Sequence, residues 1–132
     1  MKKYENFCNA LKNLEDIYKY NEPYDNVILT GLVALYEICF EQAWKAIKEI
    51  LEQTGIHEAQ TGSPKGILKA AYQAGMLKDE KAWLEALISR NNAADAYNSV
   101  IALEIVKKTK ETYYEMFLSL KTEIENNWIS HY

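Results

Sequence analysis

The chain has 132 residues, 48% of them hydrophobic and 26% charged, the composition of a soluble globular domain with enough length to bury one core without disulfide or metal staples. Its formal net charge of −4 opposes the phosphate backbone of a nucleic acid, so general nucleic-acid binding is not expected. Five glycines and two prolines leave few breakpoints, which favours helices over short strands.

The opening segment carries lysines but neither a continuous apolar stretch nor a small-residue cleavage pattern, so it does not read as a secretion signal. Tyr4, Phe7, Leu11, Leu14 and Tyr18 recur at spacings of three and four, which predicts an amphipathic first helix ending before the turn "YNEPYDN". A second helix follows from about Asp25 to Thr54. Leu29, Val33, Tyr36, Phe40, Trp44, Ile47 and Leu51 keep its period, and Ile28, Leu32, Leu35 and Cys39 widen the apolar face. Such a helix must be covered on two sides, either in the middle of a bundle or partly in a subunit interface. Its charge-free run, Val27 to Tyr36, is about half of what a membrane span requires, so a cytoplasmic protein without a membrane partner is expected. Cys8 and Cys39 sit in apolar helical patterns and read as reduced core residues.

Gly55 supplies a stop, "HEAQTG" a loop, and Ser63 followed by Pro64 an N-cap and first residue for a short third helix that ends at Gly75. Asp79 can cap a fourth helix, with Trp83, Ala86 or Leu87, and Arg90 along one side. From about Asp95 to Asn127 the last helix turns Ala102, Val106, Tyr113, Phe117, Leu120 and Ile124 inward. The sum is a single all-α domain over residues 1–132, an up-and-down bundle of four to five helices.

Arg90 is the only arginine, lysine supplying the other positive charges. It stands at a forced corner. Unbroken helix from Glu80 to Ile124 would make a rod of roughly 70 Å at 1.5 Å per residue, and no partner helix here is long enough to cover it. The break is expected at "RNNAAD", where Asn91 and Asn92 offer a turn and a new N-cap and Asp95 suits the first turn of the next helix. A corner can bring Arg90, Asp95 and Tyr97 to one spot, which a straight helix cannot. Two readings fit. Arg90 merely ties the corner, pairing with Asp95 or with helix-end carbonyls while Tyr97 joins the core; or the guanidinium, carboxylate and phenol form a polar pocket. Bidentate pairing with carboxylate or phosphate is what lysine cannot replace.

Elsewhere, Glu37 and Glu41 lie four apart on the second helix. Two carboxylates alone give no metal cage, and an intrahelical Glu41 to Lys45 pair is the simpler expectation, so no metal site is assigned. Lys107, Lys108 and Lys110, interleaved with Glu104 and Glu111, read as a solvated helix face. "SPKG" has too few glycines for a phosphate loop, and no Gly-Ser followed by spaced aspartates marks a catalytic nucleotidyltransferase.

In their order and spacing, "YEICFEQAWKAIKEIL", "SPKGILKAAYQAGML", Trp83 and "RNNAADAY" make the chain resemble the nucleotidyltransferase substrate-binding subunit family, helical bundles of the HEPN superfamily encoded beside minimal nucleotidyltransferases. The resemblance implies a homodimeric, non-catalytic accessory subunit that docks a separate nucleotidyltransferase and helps form its nucleotide and substrate site. Magnesium and nucleotide would come through that partner, this chain holding no cofactor of its own. It places Arg90, Asn91, Asp95 and Tyr97 in the site, with Glu41, Trp44 and Lys45 lining the shared groove, and Tyr97 as a residue that could receive an adenylyl group. The alternative it carries is a HEPN ribonuclease toxin, or its relic, in a toxin-antitoxin pair. In such relatives a histidine stands where this chain has Asp95, and His57 and His131 have no place in the motif. Cleavage through the 2′-hydroxyl needs groups that titrate near neutrality, as imidazole does and an ordinary aspartate does not, so self-sufficient ribonuclease activity is disfavoured.

Overall fold

The structure is a computed structural model that describes residues 1–56 and 62–129. Most of the expected "HEAQTG" loop, with His57, and the tail with His131 lie outside the described residues. Among those described the protein is an all-α bundle without strands.

Helix α1 runs over Lys2–Leu14 and tightens into a 3₁₀ segment over Glu15–Lys19. Phe7, Leu11 and Leu14 are buried as the periodicity requires, while Tyr18 ends exposed, its hydroxyl donating to the Lys110 carbonyl at 2.9 Å. Helix α2, Asn26–Gln53, starts where Asp25 accepts from the Ile28 amide at 2.9 Å and stops before Gly55, whose φ of +81° only glycine adopts freely. Its apolar face is buried from Leu29 to Leu51 apart from half-buried Leu35 and Trp44. Contacts with α1 and with the later helices put α2 through the middle of the bundle, as its broad apolar face demands. Cys39 lies in this core as a free thiol, and burial pushes its pKa up; Cys8 is free and only half-buried.

Helix α3, Pro64–Gln73, is capped by the Ser63 hydroxyl, which accepts from the Gly66 amide at 3.2 Å, and is followed by Gly75 at φ +87°. Helix α4, Glu80–Asn92, begins at Asp79, which accepts from the Ala82 amide at 3.0 Å. Trp83 and Ala86 of α4 are buried, Trp83 packing edge-on against Phe117 with ring centroids 5.6 Å apart.

The corner expected after α4 is present, but it begins and ends later than the sequence suggested. Helix α4 continues through Asn91 and Asn92, a 3₁₀ turn covers Ala93–Asp95, and the next N-cap is Asn98, which accepts from the Val100 amide at 2.9 Å. Asn92 keeps helical backbone angles and so cannot cap; Asn98, in extended conformation, can. Helix α5 is therefore Ser99–Lys108. The expected continuous last helix is interrupted again by a π turn, Thr109–Tyr113, before α6, Tyr114–Asn127. Thr109 is buried at the head of this turn and its hydroxyl donates to the Ile105 carbonyl at 2.7 Å, a back-bond that bends helices. All six inward positions expected from Ala102 to Ile124 are nevertheless buried.

The π turn also corrects the reading of the lysine cluster. Lys108 faces Glu104 at 3.9 Å on the surface, but the Lys110 ammonium donates to the Tyr20 carbonyl at 2.5 Å and the Tyr24 hydroxyl at 2.8 Å, and lies 5.3 Å from the Tyr24 ring. Together with the Tyr18 bond to its own carbonyl, Lys110 fastens the α1–α2 connection to the far side of the bundle.

Candidate functional site: the end of helix α4

The last turn of α4 faces the middle of α2. Across that contact the Arg90 guanidinium forms an ion pair with Glu41 through Nη2, while Nη1 donates to the Asn91 side-chain oxygen at 3.1 Å. The second carboxylate oxygen of Glu41 accepts from the Trp44 indole at 3.2 Å. The two charged side chains are only 29% and 26% exposed, which separates this pair from the surface pairs Lys19–Asp16 and Lys121–Glu125. Partial removal from water strengthens the pairing and makes an unpaired member costly.

The acid that meets Arg90 is thus Glu41 and not Asp95. Asp95 sits beyond the end of α4 in the 3₁₀ turn with its side chain exposed, and its carbonyl accepts from the Asn98 amide at 3.0 Å. Nor does Glu41 pair with Lys45 along its own helix; it turns toward α4, because its position on α2 faces the end of that helix. Asn91 joins the Arg90 cluster as a hydrogen-bond acceptor.

Tyr97 is not in the core. It is 89% exposed, lying in the bend before α5, and lines an open cleft of about 340 Å³ with Asn26, Thr30 and Glu37 of α2 and Ala93 and Ala96 of the corner. Glu37 and Glu41 are one turn apart on α2, so the cleft holding Tyr97 adjoins the Arg90–Glu41 pair along the same helix. Trp44 and Lys45 also line a second cleft of about 310 Å³, on the α1 side, with Lys3, Lys48 and Glu49. The structure therefore gathers Arg90, Asn91, Glu41 and Trp44 into one cluster, sets Tyr97 beside it, and leaves Asp95 on the outer rim and Lys45 on another face.

Two residues that the sequence did not mark as part of this site support the cluster from beneath. The Tyr36 hydroxyl donates to the Ala86 carbonyl, one turn before Arg90, and Ser89 shares a hydrogen bond of 2.8 Å with the Tyr113 hydroxyl. Burial raises the pKa of Tyr36; the nearby Arg90 charge opposes that rise and is outweighed. A serine facing the core at position 89 was the one available signal, since a buried hydroxyl requires a partner. Among the described residues no cluster of three or more histidine, cysteine or acidic side chains is arranged to hold a metal. The cluster can offer a paired, partly desolvated guanidinium to an oxyanion, an aromatic donor beside it, and an accessible phenol next door.

Residues 2–126 match a protein-family model described as nucleotidyltransferase substrate binding protein like. Among solved structures, the chain is similar to the ttk003001694 protein of Thermus thermophilus, at 24% identity and a TM-score of 0.79 over 91% of this chain and 99% of that one. It is also similar to HI0074 of Haemophilus influenzae, described as revealing the fold of a substrate binding domain of a nucleotidyltransferase, at 17% identity and a TM-score of 0.79 over 93% and 99% of the two chains. Both likenesses concern the fold. No curated protein sequence matches the chain.

Proposed function

The chain belongs to the nucleotidyltransferase substrate binding protein like family, and from that premise we propose that it is a non-catalytic subunit that pairs with a separate minimal nucleotidyltransferase and completes its nucleotide or substrate site. The observation that carries this reading is the half-buried Arg90 at the end of α4, bonded to Glu41 and Asn91 and flanked by the open cleft of Tyr97. A guanidinium so placed is suited to a phosphate chain that arrives with the partner enzyme. In this reading Arg90, Asn91 and Tyr97 face the ligand, Glu41 and Trp44 form the wall behind them, and Asp95 lies on the rim, while Lys45 stands apart in the cleft on the α1 side. Nucleotide and magnesium are brought by the partner, whose chemistry this chain orients.

The exposed Tyr97 phenol suits one covalent role. Its oxygen attacks the α-phosphorus of a nucleoside triphosphate held by the partner, the phenolic proton is lost, and pyrophosphate leaves with the electrons of the broken bond. A homodimer is part of the same proposal. Val27, Gly31, Ala34 and Ile38 run along α2 at helical spacing, none of them charged, with Val27 80% and Ile38 53% exposed and Glu37 at the side of the row. An uncharged stripe is complementary to itself across a twofold axis.

Co-expression of the chain with a minimal nucleotidyltransferase from the same genome, followed by native mass spectrometry, tests the proposal. A stable complex is expected, and the two chains flying separately at micromolar concentration would contradict it.

A further inference from the structure

Arg90 is already occupied. Of the two bidentate edges of a guanidinium, the side-on edge uses Nε and Nη2 and the end-on edge uses Nη1 and Nη2. Glu41 holds Nη2, the nitrogen common to both, and Asn91 takes Nη1 at 3.1 Å. No edge of the fork is free of a protein partner. Glu41 also neutralises the only guanidinium at the corner, and Glu37, one turn away, adds a second carboxylate to the adjoining cleft. A phosphate chain laid against Arg90 with Glu41 still in place would meet a fixed negative charge at hydrogen-bond distance, in a setting too buried for water to screen it well.

Resting on the reading of this corner as a ligand site, we propose that Glu41 is an internal competitor for Arg90, and that a di- or triphosphate takes the guanidinium by displacing the Glu41 carboxylate. The exchange trades one carboxylate for a more highly charged oxyanion on the same donors, so Arg90 is never left buried and unpaired. Glu41 has a short way out, being about a quarter exposed already. Among the described residues only its bond from the Trp44 indole, at 3.2 Å, ties it further, and that bond is broken as the carboxylate leaves. Glu41 is thereby a specificity residue. Monoanionic carboxylates cannot outcompete a tethered carboxylate, whereas pyrophosphate and nucleoside triphosphates can. Trp44 becomes the reporter of the exchange.

Inorganic pyrophosphate titrated into the isolated full chain, followed by calorimetry and by tryptophan fluorescence, tests this. Glu41→Gln is expected to bind pyrophosphate at least tenfold more tightly than the wild type, Arg90→Ala to bind at least tenfold more weakly, and the wild-type fluorescence change to vanish in Trp44→Phe. Glu41→Met, close in volume and uncharged, carries the same expectation should Glu41→Gln melt early. Binding by Glu41→Gln that is equal to or weaker than wild type, with Arg90→Ala weaker still, would overturn the competitor role and leave the ligand site standing. Undiminished binding by Arg90→Ala would overturn the site and the competitor together. Absence of binding by wild type and Glu41→Gln alike at millimolar pyrophosphate would overturn the inference; binding by Glu41→Gln alone would support it.

Discussion

Tyr36 of α2 and Tyr113 of the π turn stack with ring centroids 5.2 Å apart, and their hydroxyls end on the same helix, Tyr36 on the Ala86 carbonyl and Tyr113 on the Ser89 hydroxyl. The pair fixes the rotation of α4 against α2, and with it the point where Arg90 emerges. Loss of the Tyr113 hydroxyl leaves the buried Ser89 hydroxyl without that partner. Tyr113→Phe is therefore expected to cost about 1–3 kcal/mol, and the double variant Tyr113→Phe, Ser89→Ala less than the sum of the two single changes, as measured by urea unfolding.

The same phenols set an alkaline limit. Burial raises the pKa of Tyr36 and of Tyr113, while in the unfolded chain each titrates near its ordinary value of 10.0. Above that pH the native state holds protons that the unfolded chain has lost, so the stability these groups contribute is complete below pH 10 and declines as pH rises past it. Urea midpoints at pH 8 and pH 11 check this. Tyr36→Phe should lower the midpoint at pH 8 and show a shallower fall to pH 11 than the wild type.

Gly55 and Gly75 close α2 and α3 with φ of +81° and +87°, and among the described residues a Cβ at either would meet no atom within 4 Å beyond its own chain neighbours. Substitution there isolates backbone strain from crowding. Gly75→Ala should lower stability by roughly 1–2 kcal/mol, visible as a lower melting temperature with an unchanged far-ultraviolet circular dichroism spectrum. An unaltered melting temperature would contradict the assignment of Gly75 as an obligatory left-handed cap.

Lys110 fastens the α1–α2 connection through Tyr20 and Tyr24. Lys110→Met keeps the stem and removes the ammonium, so faster amide exchange is expected at residues 19–25 with little change in α4. Protection factors from hydrogen exchange report it directly, and uniform loosening of the whole chain would contradict a local tether.

These features differ in how far the sequence discloses them. The buried stripe of α2 and the caps Ser63 and Asp79 follow from spacing and local hydrogen bonding, which act within four residues. The partner of Arg90 does not. Glu41 is 49 positions away, and which acid it meets depends on how α2 and α4 are rotated and how far each extends. The corner was legible from helix length alone, but its cap moved to Asn98 because the chain passes through a 3₁₀ turn before α5, and Tyr97 was carried outward with it. The π turn left only the buried Thr109 as a trace, and a threonine amid lysines reads as surface. Lys110 misled for the same reason, since its partners lie in a loop some ninety residues earlier.

Nucleoside triphosphate affinity of the proposed complex between this chain and a minimal nucleotidyltransferase, measured by calorimetry with wild-type chain and with Arg90→Ala, bears most directly on the role proposed for the α4 corner. The expected result is an intact complex in both cases and at least a tenfold loss of affinity in the variant, corresponding to about 1.4 kcal/mol or more. Equal affinity in the two intact complexes would mean that the guanidinium only ties α4 to α2.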